Sequence, residues 1–521
     1  MRGVLLLLGL LTVARLAGMD LLPLMDTTEA RYAEIGRKMA ELGDWITPWY
    51  PDGLPFWGKP PLSFWFTAAS FKVFGVNEFA ARLPHFLCAA GVVALTWRLA
   101  AHRGREEALL AGALLGGSTL FYVSSGAVMT DGALLLGTTL AMYGFWAGLH
   151  GAQAPRQRER WWLFVGIAIG LLAKGPVALV LIGAPLLAWT LMRAEAGAAW
   201  RAFPWVPGLA LIAVLVAPWY TLAEVRTPGF LDYFLVGEHW HRFVTPGWQG
   251  DLYGNAHRYA PGTIWIFAVG ALLPWSVLLP VLAVIRRWKG QASDPAHQDR
   301  AWTLYLLAWG LTPLLFFTAA RNVIWTYVLP GLPAFSLLGA HWLMKTPPAT
   351  RQRLVAGGLL VSLVAAVVFA VHLEWSGGTE RKSAKALVAA YTVSAVRGPE
   401  GQPLIYIGAR PHSAVFYSAG QARRLDNVAQ LADVLPVQGA YVAIRSEDLT
   451  TLQTLPATGV DPSGRFGSYE LVRLTPAGSL PSMADDPAAG MIGTSWMRPS
   501  KLSATLPATL ADPSGTIGVT R

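Results

Sequence analysis

Apolar residues run in long blocks, separated by short basic clusters, from the N-terminus to about residue 373. A helix crossing a bilayer needs about 20 such residues. Eleven blocks meet or approach that length: 3–22, 83–100, 107–125, 130–149, 161–173, 175–192, 203–223, 262–285, 301–319, 323–344 and 354–373. The two blocks flanking Lys174 are short and read equally as one kinked unit, so the pattern predicts about 11–13 spans. Arg15 lies within the first block and no small-x-small cleavage site precedes Asp26, so residues 1–22 read as an anchor rather than a signal peptide.

The basic residues orient these spans. With the N-terminus in the cytoplasm, sixteen Lys and Arg fall on the inner side: Arg2, Arg98, Arg103, Arg105, Arg156, Arg158, Arg160, Arg193, Arg201, Arg286, Arg287, Lys289, Arg300, Lys345, Arg351 and Arg353. The short outer turns hold only Lys174 and Arg321. Lys and Arg concentrate in cytoplasmic loops, so two long segments, 23–82 and 224–261, are expected outside, together with the chain from about 375. The predicted localisation is the inner (plasma) membrane.

Beyond residue 374 the pattern changes. Leu404–Ala409, Ala414–Ser418, Ala440–Arg445 and Tyr469–Leu474 read as short strands, and 380–396 and 426–435 as helices. The expected organisation is a membrane-embedded region 1–374, a small α/β domain 375–478 and a disordered tail 479–521 rich in Pro, Ala, Ser, Thr and Gly.

Composition agrees with this division. Only 14% of the 521 residues are charged, against about 25% in soluble domains. The formal charge of +10 comes from scattered clusters, not from the contiguous basic face of a nucleic-acid binder. Cys88 is the single cysteine, so no intrachain disulfide forms. No Gly-rich phosphate loop stands between a strand and a helix, which disfavours nucleotide-driven transport.

Candidate chemistry is densest in the first long segment. Tyr32, Ile35, Met39 and Leu42 form one apolar stripe, with Arg31, Glu34, Lys38 and Glu41 off it, which predicts an amphipathic helix lying on the membrane. Asp26, Thr27 and Thr28 are candidate N-caps, and Asp26 and Glu29 are candidate catalytic acids. Lys59 precedes Pro60-Pro61 among aromatics, and its compact charge suits a phosphate. Asp131, a third candidate catalytic acid, starts a spanning block, where a carboxylate is costly and marks function by default. Lys174 is a lone charge between two apolar blocks, and Arg321 is a further outer cation. His239 and His241, in Glu238-His-Trp-His-Arg-Phe243, are weak metal candidates, because i, i+2 spacing on a helix points the rings apart. The sequence demands no cofactor and leaves a divalent metal open.

At these residues the chain resembles the membrane-embedded glycosyltransferases of the C-type fold, in particular the bacterial aminoarabinose (lipid A) transferases and the protein mannosyltransferase-like group. That family shows an acidic pair, one residue, then Arg-Tyr-Ala-Glu-Ile, later Gly-Asp-Trp, then a Lys-Pro-Pro or similar turn. Here these read Thr28-Glu29-Ala30-Arg31-Tyr32-Ala33-Glu34-Ile35, Gly43-Asp44-Trp45 and Lys59-Pro60-Pro61. A looser likeness continues through Asp131, Lys174-Gly175-Pro176, Glu238-His239 and Tyr327 with Pro330.

The resemblance implies a largely α-helical membrane protein that transfers a sugar from a polyprenyl phosphate, at the periplasmic face, with inversion at the anomeric carbon. The acceptor is an envelope component: lipid A, a glycan, a lipid or a protein. It also implies a first-loop acid that activates the acceptor or holds a metal, and a lysine, here Lys59, on the donor phosphate. Arg31 and Arg321 are the further cations expected there, and Tyr32, Lys174, Glu238, His239 and Tyr327 are expected to line the cavity. Two positions depart from the pattern. The first acid of the pair is Thr28, which leaves Asp26 and Glu29 as alternatives, and the metal-holding glutamate before the lysine is Gly58.

A secondary transporter or lipid flippase is the competing class. Transporters carry repeated halves and broken helices at the midplane, whereas here no repeat is visible and the charges gather on one side. The topology has a direct check. In cells with a permeabilised outer membrane, Asp52→Cys should react with an impermeant thiol reagent and Gln157→Cys should not. The reverse pattern would invert the orientation.

Overall fold

The computed structural model describes residues 1–150, 157–193, 197, 201–245, 247–254, 259–288, 300–397, 401–436, 438–454 and 458–476. The tail expected over 479–521 lies outside the described residues, as does Lys289.

All eleven apolar blocks fold as helix, and several are broken. Among the described residues, six helices are long and apolar enough to cross a membrane: Arg2–Leu21, Glu78–Ala101, Thr130–His150, Trp205–Arg226, Arg300–Thr318 and Pro348–Trp375. The pair Thr263–Ala271 and Trp275–Trp288, bent by 84° at the break between them, is long and apolar enough only when taken together. Block 107–125 breaks at Ser118 into Arg105–Gly117 and Thr119–Ser124. Block 323–344 opens with a 3₁₀ turn, Trp325–Gly331, before helix Leu332–Met344. The Lys174 break is a true one: helix Gln157–Lys174 ends at Gly175 and Val177–Met192 begins after Pro176. Gly175 has a left-handed φ of 82°, and a Cβ there would lie 2.6 Å from the Phe234 ring, so only glycine fits.

The first long segment is not a loop laid on lipid. Its helix, Thr28–Leu42, buries Tyr32, Ile35 and Met39 as the stripe predicts, but also Glu34 and Arg37 on the opposite side, while Leu42 is 61% exposed. The helix is covered on both faces. Gly36 lies so close to helix Leu62–Phe74 that a Cβ would meet the Thr67 side chain at 2.8 Å. The other face meets the C-terminal region, where Gly420 lies beside the Arg37–Glu34 pair.

The C-terminal region contains a five-stranded sheet, order β2-β1-β3-β5-β4, with β1 Leu404–Ile407, β2 Arg423–Leu425, β3 Ala440–Arg445, β4 Thr458–Phe466 and β5 Tyr469–Pro476. β1 runs parallel to β2 and β3; β5 runs antiparallel to β3 and β4. Successive side chains alternate between faces: Leu404 and Tyr406 join one apolar layer with Leu387 and Ala414, Ile405 and Ile407 the other with Leu431 and Leu452.

Three expected strands are present, and one is corrected. Residues expected as the strand Ala414–Ser418 form part of the helix His412–Tyr417. A strand would send Ala414 and Phe416 to the same face. The helix sends Ala414 to the sheet and Phe416 to the cluster around Tyr32 and Phe71. The unexpected strand β4 carries Pro462 and Gly464 at a bulge, and such residues are tolerated because it is an edge. The helix expected over 380–396 divides into Gly378–Lys382 and Lys385–Arg397. The helix expected over 426–435 is a 3₁₀ turn, Val428–Gln430, followed by the single turn Leu431–Val434.

Arg82 joins these parts. Its guanidinium donates to the carbonyls of Met19, Leu22 and Pro23 at 2.9, 2.6 and 2.9 Å and to both carboxylate oxygens of Glu29 at 3.1 and 2.8 Å. Burial opposes charge on Glu29, but the Arg82 cation outweighs it and holds the carboxyl below its ordinary range. Removing one partner of a buried pair costs about 3–5 kcal/mol. Glu29→Ala should therefore lower the thermal midpoint in detergent sharply, whereas Glu41→Ala, at the exposed end of the same helix, should leave it nearly unchanged.

Candidate active site

A cavity of about 690 Å³ opens where the first segment, the spanning helices and the segment around Glu238 meet. Its lining includes Arg31, Tyr32, Lys59, Asp131, Lys174, Glu238, His239 and Tyr327, eight of the residues singled out from the sequence. Three of them sit at helix ends or in a turn. Asp131 opens helix Thr130–His150, Lys174 closes Gln157–Lys174, and Tyr327 sits in the 3₁₀ turn Trp325–Gly331.

Two ion-paired groups dominate. Lys174 Nζ is 2.6 Å from Asp131 Oδ1 and lies over the Tyr327 ring, 4.9 Å from its centroid. Lys59 Nζ is 2.9 Å from Glu238 Oε2, and Arg242 reaches the same carboxylate at 2.8 Å and Asp251 at 3.5 Å. Burial opposes ionisation of Glu238, yet Lys59 and Arg242 outweigh it and hold the carboxyl at about 2. The same pairing, against burial, raises Lys59 above its ordinary range. Arg31 donates to Tyr253 O at 2.7 Å, and its guanidinium lies over the Tyr32 ring at 5.1 Å and the Phe56 ring at 5.8 Å.

Four of the singled-out residues lie outside the lining. Glu29 is turned to Arg82. Asp26 does not cap the loop helix: Ser413 donates to it from its N–H at 3.0 Å and from its hydroxyl. Burial pushes the Asp26 carboxyl above its ordinary range despite those bonds. Arg321 is exposed, and its backbone N–H donates to Phe243 O at 3.3 Å. His241 packs against the Trp248 ring.

The metal candidates do not converge. Both ring nitrogens of His239 face backbone carbonyls, Nδ1 at 2.7 Å from Phe234 O and Nε2 at 3.1 Å from Lys174 O. Among the described residues no group of three or more His, Cys, Asp or Glu is placed to hold a metal ion. Gly58 supplies no ligand, and a Cβ there would meet the Phe56 ring at 2.9 Å. The described residues lining this cavity do not fit a metal.

Sequence reasoning passed over Arg242, Asp251, Tyr253 and His412, all of which line the cavity. The i, i+4 spacing of Glu238 and Arg242 was a readable signal for one of them. Nothing local marks Tyr253 or His412.

With this geometry in place, the likeness to known proteins can be assigned. The family model described as dolichyl-phosphate-mannose-protein mannosyltransferase matches residues 19–234. Among curated proteins, the undecaprenyl phosphate-alpha-4-amino-4-deoxy-L-arabinose arabinosyl transferase of Aeromonas salmonicida is 32% identical over 61% of this chain and 56% of its own length. That of an Enterobacter species is 30% identical over 71% and 65%. The chain thus spans about three fifths of the length of these relatives. The crystal structure of ArnT from Cupriavidus metallidurans bound to undecaprenyl phosphate superposes with a TM-score of 0.72 and 21% identity, over 90% of this chain and 97% of that one. The fold is the C-type glycosyltransferase fold. In sequence the chain is aminoarabinose transferase-like, as its first-segment motif implied.

The ion pairs set a pH-dependent stability. Glu238 has a folded-state value of about 2 against an ordinary 4.5, so its contribution is complete above about pH 4.5 and is lost as pH falls toward 2. Glu238→Gln leaves Lys59 and Arg242 short of a partner and should cost about 3–5 kcal/mol at neutral pH. The difference in stability from wild type should shrink below pH 4.5; a difference independent of pH would contradict the pairing.

Proposed function

We propose that this protein is a glycosyltransferase that moves a sugar from a polyprenyl-phosphate carrier to an envelope acceptor at the periplasmic face of the inner membrane. The observation that carries this reading is the charge of the cavity. Among the described residues, four cations, Arg31, Lys59, Lys174 and Arg242, line it against three carboxylates, Asp131, Glu238 and Asp251. His239 and His412 are held below their ordinary range by burial first, so they add no charge at neutral pH. The single positive excess suits a phosphodiester, which carries one negative charge, and the apolar and aromatic lining suits its lipid. The positive-inside count supports the periplasmic placement of the two long segments and of the C-terminal region.

In this reaction the acceptor oxygen bonds to the anomeric carbon from the face opposite the carrier. The bond from that carbon to the phosphate oxygen breaks, and the lipid phosphate leaves with the electron pair. Charge gathers on the phosphate in the transition state, and fixed cations in a site shielded from water stabilise it. Lys59 and Arg242, already oriented by Glu238, are placed for this. Of the three candidate acids, Asp131 alone lines the cavity, and it is the group placed to take a proton from an acceptor hydroxyl. Its contact with Lys174 would fix its direction. An acceptor phosphate, being an anion already, needs no base.

The names of the relatives carry a pentose and that of the family model a hexose, and both fall within this reading. Purified protein should transfer radiolabelled sugar from an undecaprenyl-phosphate donor. Lys59→Ala should impair donor use by roughly ten- to a hundredfold, since a charge-assisted contact is worth about 1.5–3 kcal/mol. Arg321→Ala should change donor dependence little, because that side chain lies outside the cavity. Unaltered donor dependence in Lys59→Ala would remove the phosphate role.

A further inference from the structure

Among the described residues, His412 is the one that lines the cavity from the C-terminal region. Its Nε2 lies 3.3 Å from Tyr50 Oη, and the two rings meet edge to face with centroids 5.5 Å apart. Tyr50 stacks on Phe56 and packs on Tyr253, and both of these also line the cavity. The result is a patch of aromatic faces edged by a phenol and an imidazole. Burial, then the nearby Arg31 and Arg410 cations, hold the imidazole down at about 4, so it is neutral at physiological pH. Neutral donors and acceptors beside aromatic faces suit the hydroxyls and C–H edges of a sugar better than a phosphate. The Asp131–Lys174 pair lies at the ends of spanning helices, whereas His412 lies on the region beyond the bundle.

The position of His412 is set by several independent contacts. Asp26 accepts from the Ser413 N–H and hydroxyl, and its own N–H donates to Lys382 O at 2.8 Å. Arg410 pairs with Asp52 at 2.7 Å. Tyr417 Oη accepts from the Leu24 N–H at 2.7 Å and donates to Glu78 at 2.9 Å. Two of these ties flank His412 directly, and the Tyr417 tie holds the far end of the same short helix. We infer that His412, backed by Tyr50, contacts the sugar of the lipid-linked donor, and that Asp26 is a positioning residue that holds His412 in the cavity wall. This rests on the donor reading above, and it gives Asp26 a role other than acid catalysis.

The test is binding of two lipids to purified protein in nanodiscs: undecaprenyl phosphate, and the same lipid carrying 4-amino-4-deoxy-L-arabinose or mannose, whichever wild type holds more tightly. His412→Ala should weaken the glycosylated lipid by about tenfold and bare undecaprenyl phosphate by less than about twofold. Asp26→Asn should shift the same ratio in the same direction, and His412→Gln, which keeps a hydrogen-bonding side chain, should restore part of the loss. Equal weakening of both lipids, or of neither, in His412→Ala would overturn the inference while leaving the donor reading in place. Wild-type protein that binds neither lipid would overturn the donor reading, and this inference with it.

Discussion

The buried Arg82 guanidinium is the point on which the cavity's architecture depends. It holds the C-terminal end of the first spanning helix through the Met19 and Leu22 carbonyls, the following turn through Pro23, and the loop helix through Glu29. A guanidinium presents five donors in a rigid plane, so one residue at the start of helix Glu78–Ala101 fixes four others in direction as well as distance. Arg31 and Tyr32 stand on the loop helix it anchors. Without that anchor the rotation of the helix would rest on apolar packing and on single hydrogen bonds such as Arg31 to Tyr253 O, and the cavity wall would lose its register.

The cavity itself is built from opposed charges at close range. A lone Lys at the depth of Lys174 would be costly, and Asp131 at 2.6 Å offsets that cost. Glu238 serves Lys59 and Arg242 together, which keeps two cations charged and oriented while they face a largely apolar space. Charges held in this way need little reorganisation when an anion arrives, which is the physical basis of electrostatic preorganisation. The carboxylates thus act first on the cations beside them.

The C-terminal sheet region is joined to the membrane helices by polar contacts that converge on one short helix, His412–Tyr417. Ser413, Tyr417 and the preceding Arg410 each reach a residue of the first segment: Asp26, Glu78 and Asp52. Phe416 adds an apolar contact, packing on Phe71 at 6.1 Å between ring centroids. This seam explains why the loop helix buries Glu34 and Arg37: the face that an isolated amphipathic helix would turn to water is covered by the region around Gly420.

Much of this was legible in the sequence, because it depends on local patterns. Apolar block length marked every membrane helix, since a span must satisfy its backbone within one segment. The charge-dense stretch between Asp26 and Lys59 supplies Arg31 and Lys59 to the cavity, and Asp131, Lys174 and Glu238, also singled out from the sequence, reach it too. What the chain could not disclose locally was decided by pairs far apart in sequence. Asp26 and Ser413 are 387 residues apart and Lys59 and Glu238 are 179 apart. Which acid faces the cavity, and which is spent on an arginine or a serine, follows from those pairings alone. The same holds for His412–Tyr417, whose apolar run suits strand or helix equally and becomes a helix because Ala414 and Phe416 must face different partners. Hydrophobic periodicity is a property of neighbours along the chain, whereas a hydrogen bond across hundreds of residues exists only once the fold has brought its ends together.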